Sequence, residues 1–177
     1  MSTSALDSIQ AQLPHAVAER YTDRTGAHWG VIKPEHMADV AKMAKEQLGF
    51  RLFISMDGVD RLHLPPEQQE PRFEVVYFLK NVERNEHLNL KVLVNEGQPI
   101  ASIRHVYQGA NWAERLTWDF YGVQFAGHGD LRRMLTYPEF VGHALRKDYP
   151  LRGRQALIPE RPIKDIFRGP GTNGVQS

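Results

Sequence analysis

Apolar positions change their spacing several times along the chain, and each change marks an element. Ser4, followed three residues later by Asp7, makes a weak capping box for a short helix through Leu13 that Pro14 ends. The stretch AVAERYTDRTGAHWGVIK reads as two strand-like pieces around Asp23 to Gly26, a hairpin. After Pro34, Met37, Val40, Ala41, Ala44 and Leu48 fall at i, i+3, i+4, i+7 and i+11, with Gly49 placed to end one amphipathic helix.

From Phe50 the pattern becomes extended: FRLFISM, a polar proline-containing loop (LPPEQQEPR), then FEVVYFLK and HLNLKVLVN around a polar turn at Asn85. His87, Asn89 and Lys91 alternate with Leu88, Leu90 and Val92, which predicts a sheet buried on one face and covered by the Pro34 to Leu48 helix. Asn111 is placed as the N-cap of a further helix to Tyr121, closed by Gly122. The predicted fold is α+β: a two-layer domain with a mainly antiparallel sheet covered by helices, plus an extended C-terminal tail. A single domain is expected over residues 1–150, and 151–177, broken by prolines and lacking a periodic apolar face, forms a basic tail that orders only along a partner.

Composition narrows the classes. A length of 177 residues with 41% hydrophobic content supports one real core. Basic and acidic residues nearly balance at 22 to 21, but Arg146 to Arg168 is net +4, leaving −3 for the rest. Cysteine is absent, which removes disulfides, thiolate zinc sites, cysteine nucleophiles and cysteine-ligated iron–sulfur clusters from this chain. MSTSALDSIQAQLPHA has no basic, apolar leader pattern and no run approaches the roughly 18 apolar residues of a membrane span, so a soluble, intracellular chain is expected.

Candidate chemistry is sparse. His15, His28, His36, His63, His87, His105, His128 and His143 show neither an i, i+4 pair with an intervening glutamate nor a cluster with carboxylates, so no metal site is expected. No G-x-S-x-G elbow and no phosphate-cradling glycine pattern is present. Arg152, Arg154, Arg161, Lys164 and Arg168 give the tail an electrostatic footprint, which keeps a nucleic-acid-binding module as a distant alternative, although no recognition helix or stacking module accompanies it. An autonomous enzyme using unclustered His and carboxylate groups is a further alternative.

Residues 111–151 stand apart. Glu114, Asp119, Asp130, Glu139 and Asp148 mix there with Arg115, Arg132, Arg133, Arg146 and Lys147 among Trp112, Trp118, Phe120, Tyr121 and Phe125. Such a mixture suits either internal salt bridges that orient a turn or a contact patch for another protein, where aromatic and arginine anchors are enriched.

The run AERLTWDFYGVQFAGHGDLRRML, from Ala113 to Leu135, resembles the signature of the C-type subunit of proton-pumping NADH-quinone oxidoreductase, respiratory complex I, and VGHALRKDYPL, from Val141 to Leu151, resembles that family's next block. Weaker similarity reaches back through LNLKVLV and the FEVVYFL strand. Leu116 stands where the family often has glutamate or a small residue, while Gly129 and Ala144 replace prolines that commonly follow the two histidines. Losing those prolines relaxes backbone restriction without removing a charge.

The resemblance implies a non-redox, peripheral-arm subunit with no cofactor of its own, the FMN and iron–sulfur clusters lying on other subunits of complex I. It implies packing against the cluster-bearing iron–sulfur subunit and the quinone-site subunit, with the tail extended over neighbours. The complex would transfer electrons from NADH to quinone coupled to proton translocation, at the cytoplasmic side of the cell inner membrane, with membrane association indirect. The implied partner interface comprises Glu114, Arg115, Trp118, Asp119, Phe120, Tyr121, His128, Asp130, Arg132, Arg133, Arg146, Lys147 and Asp148. A related membrane-bound hydrogenase or ferredoxin-linked oxidoreductase complex would use an equivalent subunit.

Overall fold

The computed structural model describes residues 3–152 and 155. The order is α1 (Thr3–Gln12), β1 (Val17–Thr22), β2 (His28–Ile32), a 3-10 turn, α2 (Met37–Glu46), β3 (Leu52–Asp60), β4 (Phe73–Asn81), β5 (Glu86–Val94), β6 (Ile100–Ala101), α3 (Ala110–Tyr121) and β7 (Phe125–Ala126). This is the α+β class read from the sequence. Most of the expected tail lies outside the described residues.

Five strands form one sheet in the order β1-β2-β5-β4-β3. The β1–β2 hairpin turns on Asp23, whose Oδ1 accepts the amides of Thr25 at 2.8 Å and Ala27 at 3.0 Å while Oδ2 accepts Trp29 Nε1 at 2.9 Å. An aspartate that bonds its own following backbone is a turn former for this reason. β4 and β5 pair antiparallel through the turn at Asn85, the one non-glycine residue with positive φ among the described residues. β2 and β5 pair parallel, because α2 carries the chain across before β3–β4 returns it.

The period-2 pattern explains the two faces. Val75 lies opposite Val92, Tyr77 opposite Leu90 and Leu79 opposite Leu88, all fully buried. The buried stripe of α2 (Met37, Val40, Ala41, Met43, Ala44) and Leu6 and Ile9 of α1 belong to the same core. Shaving one of these leucines to alanine costs about 2–5 kcal/mol by lost transfer energy and cavity formation. On the opposite face Lys91 pairs with Glu74 at 2.9 Å and lies over the rings of Tyr21 and Trp29.

Several boundaries differ from the sequence reading, and α2, expected from Pro34 to Leu48, runs Met37–Glu46 and leaves Leu48 beyond its end. The strand expected from Phe50 begins at Leu52, leaving Phe50 in the core, and continues through Asp57–Asp60 opposite Phe73–Val76. The third helix starts at Ala110 after Gly109, so Asn111 is a first-turn residue and caps nothing with its side chain. The chain is already turning there: Tyr107 N donates to Ile103 O at 2.8 Å and Ala110 N to Tyr107 O at 3.0 Å, so no capping side chain is needed to start the helix. The parallel β6–β7 clip, which ties both sides of α3 together, was not expected from the sequence.

Candidate docking site around the third helix

α3 lies against β3, and the approach is close: a Cβ on Gly58 would stand 2.8 Å from the Tyr121 ring. The helix ends at Gly122 with φ +78, a left-handed conformation that glycine adopts without a side-chain penalty. The space beyond is also taken, since a Cβ there would lie 2.5 Å from Arg146 Nη2 and 2.6 Å from His143 Nε2. Gly122 therefore ends the helix and lets the later segment fold back onto it.

Glu114 points inward. Its Oε1 accepts the amide of Ile103 at 2.7 Å and its Oε2 the hydroxyl of Ser102 at 2.6 Å, which pins the loop after β6 to the helix. His128 is buried beside it, with Nε2 3.9 Å from Glu114 Oε2 and 3.2 Å from the carbonyl of Asn111. Burial pushes the Glu114 carboxyl up to about 7 despite those donors, and burial holds the His128 imidazole below its usual range. Arg104 reaches the His128 carbonyl. The Tyr77 hydroxyl, buried and pushed up by burial and by the Glu114 charge, has no hydrogen-bond partner among the described residues.

Asp119, one turn on, organises residues 129–152, an irregular segment termed the strap. Its carboxylate accepts the amides of Met134 at 3.0 Å, Leu135 at 2.9 Å and Thr136 at 3.0 Å, the hydroxyl of Thr136, and the Arg133 guanidinium at 2.9 Å. Burial alone would raise this group, but the Thr136 hydroxyl, the amides and Arg133 outweigh it and hold Asp119 well below the usual carboxylate range. Arg133 then forks to the carbonyls of Phe140 and Gly142, each at 2.8 Å, and His143 Nδ1 lies 2.9 Å from the Asp119 carbonyl. A loop with little regular structure is thus ordered by one anion and one cation.

The far end of the strap is held by strand residues. Asp60 accepts the Arg72 guanidinium at 3.0 Å and the amide of Lys147 at 2.9 Å, and Arg72 also pairs with Asp148 at 2.9 Å. Arg146 bonds Glu96 and donates to the Tyr121 carbonyl at 2.6 Å. Gln155 closes the segment, donating to the Val141 carbonyl at 2.6 Å and the Tyr149 hydroxyl at 2.7 Å.

The expected interface residues therefore divide. Glu114, Asp119 and His128 are buried and bonded within the chain, so the signature's most distinctive polar residues build the fold here instead of forming an outward patch. Arg115 is also nearly buried, and Arg133 and Arg146 are committed to internal partners. Trp118, Phe120 and Tyr121 are half-buried, Trp118 lying beneath the Arg133 guanidinium. Arg132, Lys147 and Asp148 are exposed, and Asp130 pairs with Arg132 at 3.1 Å. Asp60, Arg72, Glu96, Ser102, Arg104 and Thr136 complete the site without having been singled out in the sequence, because partners 87 residues apart, such as Asp60 and Lys147, share no local pattern.

Between these exposed charges the region also turns apolar side chains outward. Trp112, Leu135, Tyr137, Val141, Leu145 and Leu151 are all exposed, with Leu135 at 66% and Val141 at 75%. Exposed large hydrophobics of this kind are available for contact with another protein. Among the described residues no group of three or more His, Asp or Glu assembles to hold a metal ion, and no helix is long and apolar enough to cross a membrane.

Comparisons with known proteins agree with this architecture. The family model of the respiratory-chain NADH dehydrogenase 30 kDa subunit matches residues 31–155. The NADH-quinone oxidoreductase C-type subunit of Methylobacterium sp. (strain 4-46) is 37% identical over 156 residues, covering 85% of this chain and 70% of the relative. Its counterpart in Sinorhizobium medicae (strain WSM419) is 47% identical over 124 residues, covering 70% of this chain but only 59% of the relative. A solved structure of the trypsin-resistant fragment of Nqo5 superposes with a TM-score of 0.61 at 25% identity, covering 72% of this chain and 97% of the fragment. With 125 consecutive residues inside the family match, the chain belongs to the family of the respiratory-chain NADH dehydrogenase 30 kDa subunit, the C-type subunit of NADH-quinone oxidoreductase.

Proposed function

We propose that this chain is a non-redox subunit of the peripheral arm of a proton-translocating NADH-quinone oxidoreductase, holding together the subunits that carry the redox centres. The observation that carries this reading is the strap: it is anchored internally at Asp119, Arg133, Asp60 and Arg146, yet it turns Leu135, Tyr137, Val141 and Leu145 outward. Ordering the backbone before binding lowers the entropy cost of association, and exposed aliphatic and aromatic side chains supply the apolar area a stable interface buries. The absence of cysteine anywhere in the sequence supports placing cysteine-ligated iron–sulfur clusters on partners.

In this reading the partners are the cluster-bearing iron–sulfur subunit and the quinone-site subunit, the tail beyond residue 151 extends over them, and the chain sits indirectly on the cytoplasmic side of the inner membrane. Trp118, Phe120, Asp130, Arg132, Lys147 and Asp148 would border the contact, with the buried Glu114, Asp119 and His128 fixing its shape from beneath. The test is gentle-detergent purification of the tagged chain from membranes. Flavin and iron–sulfur absorbance with NADH oxidation in the purified assembly is expected. Nickel and hydrogenase subunits would transfer the chain to a related complex, and a lone monomer would overturn the reading.

A further inference from the structure

A shallow groove of about 560 Å³ lies between α3 and the strap, lined by Arg115, Trp118, Leu131, Arg132, Arg133 and Pro138. Its lining holds three cations and no acid. Two of the cations are answered inside the chain, Arg133 by Asp119 and Arg132 by Asp130. Arg115 is not: although only 6% exposed, it has no carboxylate within 4.0 Å among the described residues. Its Nε and Nη2 reach only the carbonyls of Arg132 and Arg133, at 3.4 and 3.3 Å, longer than ordinary N–H···O bonds. Its plane lies over the exposed Trp112 ring, 5.1 Å from the centroid.

A buried guanidinium without a counter-charge is costly, and its planar fork suits a carboxylate bidentately. We propose that this groove receives an acidic segment of a partner protein, an Asp or Glu carboxylate pairing with Arg115 while flanking apolar side chains rest on Trp118, Leu131 and Pro138. The chain's own remaining residues are poorly matched to it, since 153–177 carry four basic against two acidic side chains. The inference rests on the docking reading above and adds to it the chemistry of the partner.

The test uses the Arg115→Lys chain assembled in its complex. Carbodiimide joins an amine to a carboxylate only in direct contact, and peptide mass spectrometry is expected to find position 115 coupled to an Asp or Glu of another protein in the assembly. Coupling to Glu160 or Asp165 of the same chain, or no coupling in a complex that has assembled, overturns this inference and leaves the docking reading standing. If no partner co-purifies, the docking reading fails and this one with it. A second variant, Arg115→Gln, is expected to be released from the complex at least about tenfold more readily in a salt wash, with the unfolding temperature of the full chain unchanged. Equal release of variant and parent overturns the proposal.

Discussion

Arg133 donates to Asp119 twice, to the carboxylate at 2.9 Å and to the main-chain carbonyl at 3.0 Å, and so clamps the strap to the last turn of α3. Both residues belong to the most recognisable stretch of the sequence, and their first duty is internal. The strap's outward residues can serve a partner only because this pair fixes where they point.

Asp119→Ala is expected to cost about 3–5 kcal/mol, the loss typical when one member of a buried pair is removed and its donors are stranded. Full burial of Asp119 places the loss in the fold itself and not only in assembly. Urea denaturation of the full chain measures it, and trypsin should then cut first within 129–152. A loss under about 1 kcal/mol would contradict the assignment.

How much of this was legible in the sequence depended on range. The α2 stripe, the Asp23 turn and the Leu88–Val92 alternation are local patterns, and each appears where its period places it. Glu114 and Asp119 also stood out, but sequence cannot tell a charged residue facing a partner from one facing a loop that returns later, as Met134 to Thr136 return to Asp119. Asn111 shows the opposite failure: a good capping residue went unused because the turn from Ile103 had already started the helix. Gln155 shows internal bonding continuing past Pro150.

Glu114→Gln is expected to change how stability depends on pH. An ordinary glutamate ionises near pH 4.3 in an unfolded chain, whereas burial raises Glu114 to about 7 in the fold. Between these values the folded state holds a proton that the unfolded state has lost, so this group's contribution is full below about pH 4.3 and declines as pH rises toward 7. His128 and His143, both held low by burial, act oppositely just below their usual range, so the informative quantity is the difference between variant and parent. That difference should favour the variant increasingly from pH 5 to 7 in urea titrations, at up to about 1.4 kcal/mol per unit. A difference independent of pH would refute the buried-acid assignment.

Acid should act through different groups. Asp60 and Asp119 are both held below the usual carboxylate range, against the effect of burial, by donors that include Arg72 and the Thr136 hydroxyl. Their contribution is present above the unfolded value near 3.9 and is lost as pH falls through the lower folded values. The hydrogen-exchange protection factors of the Met134, Leu135, Thr136 and Lys147 amides, taken relative to the intrinsic rate at each pH, should fall together below about pH 4, before those of the β4–β5 amides do. Simultaneous loss of protection across the sheet would contradict a locally held strap.

Gly122→Ala should destabilise by about 1–2 kcal/mol from the left-handed backbone alone, with more lost as the new methyl displaces Arg146 and His143. Thermal unfolding checks the first part. Faster tryptic cleavage after Arg146 checks the second, and an unchanged digestion pattern would mean that the strap does not depend on this helix end.

The central claim, that an internally anchored strap docks this chain onto partners carrying the redox centres, is tested most directly by purifying the tagged parent and the Leu135→Asp/Val141→Asp variant from membranes under the same gentle detergent. Both side chains are exposed, so the variant should keep the parent's unfolding temperature to within a degree or two. The account predicts flavin, iron–sulfur absorbance and NADH-oxidising partners with the parent and their loss from the folded variant. A variant that retains the full set of partners would contradict it, as would a parent recovered alone.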